Sequence, residues 1–178
     1  MMLANEIATN NILLDDSSIL SQTFNPQELV GTGQIESRFG KINVDYDKKI
    51  NIERGLLGMA DKLYFCITNF PIKKFAQFQL LQSLEEHSLS LIIMPILLEN
   101  NIVERADLLD IMQDLSIAPE NCDMFLVVNV YRDMNNVRIS VNARAPIFID
   151  KSTKKGEQSV LRNNKYMVRH MITNEISS

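Results

Sequence analysis

Alternation of apolar and polar residues with a period of two constrains the fold of this chain more than any other feature. The clearest example is the stretch of residues 137–144, where Val137, Ile139, Val141 and Ala143 alternate with Arg138, Ser140, Asn142 and Arg144. Such a period is typical of β-strands that bury one face. Residues 42–46 and 63–68 alternate in the same way. Residues 89–94 and 124–128 are nearly all apolar, as in strands that are covered on both faces.

Turn and breaker residues divide these strands. Asn135 and Asn136 precede the alternating stretch, so residues 123–143 are predicted to form a hairpin. Residues 45–49 are turn formers, and Ile50 and Ile52 are expected to begin a further strand. Pro95 is expected to end the strand of residues 89–94 or to place it at a sheet edge.

One helix is convincing. Its apolar residues follow the helical spacing i, i+3, i+4, i+7 and are Leu108, Ile111, Met112 and Leu115. Asp107 suits an N-cap or first-turn position, and Pro119 lies beyond the end. Many short strands with one helix predict an antiparallel sheet that closes to hide its edges. The predicted fold class is therefore mainly β, an antiparallel β-barrel-like single domain with one or two short helices.

Composition is that of one globular domain. The chain has 178 residues, of which 46% are hydrophobic and 22% charged. Its net charge of −4 argues against nonspecific binding to nucleic acid or to an anionic membrane. No apolar run approaches the length of a membrane span, and the N-terminus does not resemble a signal peptide. With two cysteines and no CxxC motif, a cytoplasmic location is expected.

The N-terminal part differs from the rest in composition. Residues 1–34 are rich in Asn, Ser, Gln and acidic residues and end at the glycines Gly31 and Gly33. We interpret them as a flexible extension, or one held by a short docking contact. The alternative is a genuine first helix of the domain. The predicted organisation is an extension of residues 1–34, a domain of residues 35–172 and a tail of residues 173–178.

No group of residues predicts catalysis, cofactor binding or a metal site. His87 and His170 belong to no zinc-ligand pattern, and Cys66 and Cys122 lie in apolar strands where cysteine is usually a small hydrophobe. The glycines of residues 31–33 do not continue into a dinucleotide-binding fingerprint. Neighbouring acids such as Glu85 and Glu86 are more typical of a solvated face than of acid–base catalysis.

Charge is distributed unevenly along the chain. Residues 1–98 have a net charge of −3, residues 99–150 of −5 and residues 151–178 of +4. Tyr166 is the only aromatic residue within the basic end, which argues against base stacking with RNA. The acidic middle favours a basic protein as partner.

Three blocks of residues resemble the bacterial flagellar assembly factor FliW family. Residues 38–44 (RFGKINV) are similar to its opening strand, and residues 81–86 (LQSLEE) to its LQS block. Residues 142–150 (NARAPIFID), followed by Gly156, Gln158, Leu161, Tyr166, Arg169 and His170, resemble its C-terminal signature. The resemblance covers residues 35–172. Residues 52–59 (IERGLLGM) depart from the family's FPxGLPGF element, since both glycines are kept but the prolines and phenylalanines are absent.

The resemblance implies a non-enzymatic regulator with a β-barrel-like fold and no cofactor. Proteins of this family bind the translational repressor CsrA and relieve its repression of flagellin mRNA. They also bind flagellin near its C-terminal helical region, like a chaperone, so the two partners compete. The implied chain is a cytoplasmic monomer that contacts neither nucleic acid nor membrane directly.

Polar residues of the matched blocks are the predicted contacts to CsrA. The candidates for partner binding are Gln82, Ser83, Glu85, Glu86, Asn142, Arg144 and Phe148. A structural role at the strand ends is an equal alternative for Asn142 and Arg144. Ile147 and Ile149 are predicted to fill the barrel, and Phe148 on the opposite face is the predicted exposed anchor for flagellin.

A second hypothesis comes from the fold class alone. Small β-barrels of split-barrel type also serve as enzymes or ligand-binding domains. A closed apolar pocket with convergent polar groups would favour this hypothesis, whereas an interior filled with side chains would argue against it.

Overall fold

The computed structural model describes residues 24–133 and 136–177. This part of the chain contains eleven β-strands and one α-helix. In chain order they are β1 Thr32–Ser37, β2 Gly40–Asp45, β3 Ile50–Asn51, β4 Tyr64–Asn69, β5 Gln79–Ser83, β6 Ser90–Ile96, α1 Arg105–Asp114, β7 Cys122–Asp133, β8 Asn136–Val141, β9 Ile147–Asp150, β10 Lys155–Gln158 and β11 His170–Ser177. Short 3-10 turns span Tyr46–Lys48, Lys73–Phe75 and Pro119–Asn121.

Strands β3 to β7, β9 and β10 close into a barrel. Their order is β7, β6, β5, β4, β3, β10 and β9, and β9 pairs with β7 to complete the ring. All neighbours are antiparallel except β3 and β10, which are parallel through Asn51 and Lys155. The predicted antiparallel, barrel-like fold class is therefore confirmed.

Strand β7 is long enough to pair with β9 in the barrel and with β8 beyond it. Its first half pairs with β9 and closes the barrel, and its second half pairs with β8. Strand β11 adds to the outer side of β8. The hairpin predicted for residues 123–143 is thus confirmed, and it extends beyond the barrel as a three-stranded ribbon.

Two apolar layers lie on the two faces of the barrel wall. The interior is filled by buried side chains from six strands and the loop after β3, namely Ile50, Ile52, Leu56, Phe65, Leu81, Ile93, Phe125, Ile147 and Ile149. Residues that alternate with these, such as Leu80, Ile92 and Leu126, point outward into a second buried cluster. Ile147 and Ile149 occupy the interior as predicted.

The β1–β2 hairpin and α1 cover the outward-pointing residues. Ile35, Ile42 and Val44 of the hairpin belong to the outer cluster, together with residues on the apolar face of α1. That face is made of Leu108, Ile111 and Met112, as the helical spacing predicts. The wall is therefore buried on both sides over much of its area.

Local signals agree with the observed boundaries of α1 and β6. Asp107 lies in the first turn of α1, where the helix dipole favours an acid. Pro95 lies inside β6 opposite Phe125, but β5 pairs with β6 only as far as Ile93. Pro95 consequently has a strand neighbour on one side only, which a residue without an N–H tolerates.

The residues before β1 contact the barrel. The ring of Phe24 lies 5.8 Å from that of Tyr64, and the carbonyl of Leu29 accepts a hydrogen bond from Lys49 Nζ at 3.0 Å. A Cβ at Gly33 would lie 2.5 Å from the Tyr46 ring, so the close approach of that ring requires a glycine. Strand β1 begins at Thr32, and residues 1–23 of the predicted extension lie outside the described residues.

Among the described residues, none of the helices has the length and apolar character needed to cross a membrane.

Replacement of Ile147 by alanine tests the packing of the barrel interior. Ile147 is fully buried, so we expect Ile147→Ala to lower the free energy of unfolding by about 2–5 kcal/mol. Val160→Ala removes methyl groups from a residue that is 49% exposed and should change it by less than about 0.5 kcal/mol. Urea denaturation of both variants measures the difference. Equal stabilities would contradict a packed interior.

Candidate protein-binding site at one end of the barrel

Four connecting segments meet at one end of the barrel, which we call the loop end. They are residues 52–63, 84–89, 142–146 and 158–164. Strand pairing places them together, because β4, β6 and β9 begin at this end and β5 and β10 finish there. Six of the seven predicted site residues lie in or beside these segments, so the structure brings two distant sequence blocks to the same end of the barrel.

Gln82 lies inside the loop end and not on its surface. Its side chain is fully buried, and its amide nitrogen donates to the carbonyls of Ser83, His87 and Leu89 at 2.8–3.2 Å. Its amide oxygen accepts a hydrogen bond from the buried hydroxyl of Ser90. Gln82 therefore holds the turn of residues 84–89 from within and is closed to a partner in this conformation.

Ser83 and Glu85 are also committed to the backbone. The buried Ser83 hydroxyl oxygen accepts the N–H groups of Glu85 and Glu86 at 3.2 and 3.1 Å. The Glu85 carboxylate accepts the N–H groups of Leu63 and Tyr64 at 2.5 and 2.8 Å, which ties this turn to the start of β4. Of the four predicted contacts in this block, Glu86 is the one with an exposed side chain, and Lys62 Nζ lies 3.7 Å from its carboxylate.

Asn142 stabilises a bulge between β8 and β9. Val141 and Ile147 are six residues apart, but their partners on β7, Val128 and Phe125, are only three apart. The chain must therefore accommodate three extra residues here. The Asn142 side-chain oxygen accepts the N–H groups of Arg144 and Ala145, both at 3.1 Å, which the strand ladder no longer pairs.

Arg144 and Gln158 connect this bulge to its neighbours. The Arg144 guanidinium donates to the carbonyl of Asn163 at 2.5 Å and to the side-chain oxygen of Asn164 at 2.7 Å. Gln158 donates to the carbonyl of Ala145 and accepts the N–H of Leu57, both at 3.0 Å. These contacts agree with a structural role for Asn142 and Arg144, the alternative to partner binding, since both side chains bind the protein's own backbone.

Leu57 stands exposed at the tip of a tight loop. Leu56 and Met59 pair as an isolated antiparallel β-bridge, which leaves Leu57 and Gly58 at the tip of the loop. The Leu57 residue is 54% exposed. Gly55 has a φ of +65°, and a Cβ on it would lie 2.5 Å from the Met59 carbonyl oxygen. The loop therefore depends on a glycine at this position. Sequence reasoning missed Leu57, although an apolar residue between two turn glycines is a usable signal.

The prediction of Phe148 as an exposed anchor is wrong. Its ring points away from the barrel interior, as the alternation requires, but it is fully buried. Phe148 belongs to the outer cluster that also contains Leu108 and Met112 of α1. The alternation of β9 identified the correct face, and a second layer covers that face.

The acidic middle and the basic end of the chain pair with each other. Lys165 Nζ lies 2.5 Å from Glu104 and 3.6 Å from Asp107, and Arg162 lies 2.6 Å from Asp114. Lys151 likewise lies 3.6 Å from Asp123. These contacts are largely exposed and each stabilises the fold only weakly. They do reduce the net charge that either segment can offer to a partner.

The described residues contain no cluster of three His, Cys, Asp or Glu side chains that could bind a metal ion. His87 is exposed in the turn of residues 84–89, and His170 begins β11. Burial raises the pKa of both Cys66 and Cys122 to about 11, so neither thiol is a ready nucleophile near neutral pH.

Comparison with known proteins identifies the family. A family model described as FliW protein matches residues 34–172. The chain belongs to the FliW family. A flagellar assembly factor FliW from Lachnospira eligens is 30% identical over 141 residues, which cover 75% of this chain and 89% of that protein. The corresponding factor from Lachnoclostridium phytofermentans is 31% identical over 138 residues, covering 75% and 86%.

A solved structure agrees with this fold. The crystal structure of a flagellar assembly factor FliW matches with a TM-score of 0.60 over 78% of this chain and 96% of that chain, at 19% identity. FliW proteins are flagellar assembly factors and not enzymes. In this FliW-family chain, Gln82, Ser83, Asn142 and Gln158 of the matched blocks act as internal supports for the loop end.

Replacement of Asn142 tests the support of the bulge. Asn142→Ala leaves two N–H groups without their acceptor, so we expect the free energy of unfolding to fall by about 1–3 kcal/mol. Asn142→Asp keeps the accepting oxygen and should lose less. Urea denaturation measures both variants, and an equal loss in the two would assign the effect to something other than the acceptor.

The thiols provide a separate test of burial. Because a raised pKa keeps both cysteines protonated, we expect them to react slowly with a thiol reagent at about pH 8 in the folded chain. Both should react rapidly in denaturant. The absorbance change of the thiol reagent, recorded over time, measures the reaction rate. A fast phase in the native protein would show that at least one thiol is accessible.

Proposed function

We propose that this chain is a cytoplasmic, non-enzymatic regulator of flagellar assembly that binds the translational repressor CsrA and flagellin in competition. Binding of CsrA to this chain relieves repression of flagellin mRNA. Flagellin, when it binds this chain instead, displaces CsrA from it. The proposed regulator acts as a monomer without direct contact to nucleic acid or membrane. Membership of the FliW family supports the flagellar role.

The construction of the loop end is the observation that carries this proposal. Buried amide and hydroxyl groups hold its segments in place, while Glu86, Leu57 and Val160 remain exposed. A preordered surface loses little conformational entropy when it binds a partner. We therefore place the partner contacts on the exposed tips of this end and not on the residues that support them.

Glu86 is the proposed contact to CsrA. A repressor that binds RNA has a basic surface, and an exposed carboxylate on a fixed turn favours association with such a surface. Lys62 Nζ lies 3.7 Å from the Glu86 carboxylate, and both side chains are partly exposed. This ion pair is therefore weak, and a basic group of a partner can replace Lys62 beside Glu86.

Leu57 and Val160 replace Phe148 as the proposed apolar contacts for flagellin. They are 54% and 49% exposed, and Gln158, two residues before Val160, binds the Leu57 N–H directly. An apolar pair beside a polar rim is a suitable surface for one face of an amphipathic helix.

The alternative of a ligand-binding or enzymatic barrel has little support. Nine buried apolar side chains fill the barrel interior, which is the arrangement expected to count against an internal ligand pocket.

Charge reversal at Glu86 tests the proposed contact. We expect Glu86→Lys to weaken binding of CsrA from the same organism by about 2–5-fold at low salt, because an exposed charge pair contributes up to about 1 kcal/mol. The difference should shrink as the salt concentration rises. Calorimetric titration of the purified proteins measures both effects.

Two controls make this experiment specific. Glu120→Lys applies the same charge change to an exposed residue at the other end of the barrel and should leave the affinity unchanged. Addition of flagellin should displace CsrA from the unmodified chain. Unchanged affinity of Glu86→Lys removes this residue from the interface, whereas failure of the unmodified chain to bind either partner contradicts the proposed function itself.

A further inference from the structure

The tip of the β1–β2 hairpin and the loop after β4 together form a surface that we call the cationic ledge. It contains the exposed basic residues Arg38, Lys41, Lys73 and Lys74. No ion pair within the described residues involves any of the four. Most other exposed lysines, by contrast, lie beside a carboxylate, as in the pairs Lys155–Glu53 and Lys165–Glu104.

Half-buried aromatic rings connect the two parts of the ledge. The ring of Phe39 in the hairpin tip lies 5.5 Å from that of Phe70, which lies 6.3 Å from Phe75 in the neighbouring loop. The Arg38 guanidinium lies over the Phe39 ring at 4.7 Å. Ile72 is 51% exposed beside Lys73 and Lys74. The ledge thus combines positive charge with accessible apolar surface.

Little negative charge is available nearby to balance the ledge. Glu36 lies opposite Lys41 on the hairpin, but the two form no ion pair. The sequence contains no acidic residue from position 62 to position 84. A chain with a net charge of −4 has therefore concentrated unpaired cations at one place.

Arg38 already covers the Phe39 ring, and the Phe70 and Phe75 rings meet edge to face. Such rings do not offer the open parallel faces on which nucleic-acid bases stack. The ledge is better suited to a protein segment with both carboxylates and apolar side chains.

The sequence before Phe24 has this composition. Residues 1–23 contain three acidic residues and no lysine or arginine. Two of the acids, Asp15 and Asp16, directly follow Ile12, Leu13 and Leu14. An apolar run next to paired carboxylates is complementary to Ile72 and the aromatic rings next to paired lysines.

This segment can reach the ledge. Phe24 lies against Tyr64, the first residue of β4, and Phe70 directly follows the last residue of that strand. Phe70 lies six positions after Tyr64 along extended chain, a distance of about 20 Å. Asp15 precedes Phe24 by nine residues, which extend up to about 30 Å.

We propose that residues 12–16 bind the cationic ledge within the same chain, with Asp15 and Asp16 next to Lys73 and Lys74 and the apolar run next to Ile72 and Phe75. This inference stands independently of the proposed function.

Paramagnetic broadening in NMR spectra of the full chain tests the contact. The native thiols are buried, so a spin label reacts selectively with a new cysteine in Ser18→Cys. Because tethering gives the segment a high effective concentration, we expect amide signals of residues 38–41 and 72–75 to fall to about half their intensity or less. High salt should restore them, since the contact relies on exposed charges.

Charge variants separate the ledge from other basic surfaces. Lys73→Glu with Lys74→Glu should abolish the broadening, and the further changes Asp15→Lys and Asp16→Lys should restore it by exchanging the charges. Lys154→Glu with Lys155→Glu is the matched control, because these are also adjacent exposed lysines, but on the far side of β3 from β4; it should leave the broadening unchanged.

Each contrary result overturns the proposal. Absence of broadening at the ledge means that the segment does not occupy it and leaves the ledge to an acidic segment of another protein. Broadening that persists in the Lys73/Lys74 variant excludes the charge contact. Broadening of an isotope-labelled chain by a separately spin-labelled copy, as strong as within one chain, assigns the contact to a second molecule.

Discussion

The pairing of β9 with the first half of β7 is the constraint on which the rest of this structure depends. It closes the ring and thereby places Ile147 and Ile149 in the interior and Phe148 in the outer layer. Because β7 continues beyond the barrel to pair with β8, the chain between β8 and β9 must absorb three extra residues. Asn142 satisfies the N–H groups that this bulge frees. The strand pairing that closes the barrel therefore also creates the bulge at the loop end.

Polar residues of the blocks that resemble the family act from inside the loop end. Gln82 binds three carbonyls of a turn, Glu85 binds two N–H groups at the start of β4, and Gln158 joins two further segments. Glu85 and Gln158 provide partners that the loop backbone does not, whereas the Leu89 carbonyl bound by Gln82 also accepts the Ser83 N–H. Buried polar groups without partners are costly. These supports fix the backbone from which the exposed side chains of the loop end, such as Leu57 and Glu86, project.

The distribution of surface charge in this chain depends on which charged side chains the fold places next to each other. The acidic stretch before β7 and the basic stretch after β9 are far apart in sequence but pair through Lys165 and Arg162. Their mutual neutralisation leaves the cations of the hairpin tip and the loop after β4 as a distinct positive surface. A net charge computed along the sequence does not reveal this surface, because it does not record which charges become neighbours.

Sequence alone determined strands β2 to β4 and β6 to β9, helix α1, the barrel-like class and the resemblance to the FliW family, since these depend on local periodicity and on residue order. It also identified which face of β9 Phe148 occupies. It did not identify β1, β5, β10 or β11, whose segments lack a clear alternation. Only the tertiary structure decided what each face meets. A period of two separates the two sides of a strand but does not show whether a second layer covers the outer side, as α1 and the β1–β2 hairpin do here. Likewise, the amide of Gln82 has the same chemistry whether it faces a partner or the carbonyls of its own turn. The fold turned it inward, where its own buried polar atoms find partners in the carbonyls of Ser83, His87 and Leu89 and in the Ser90 hydroxyl.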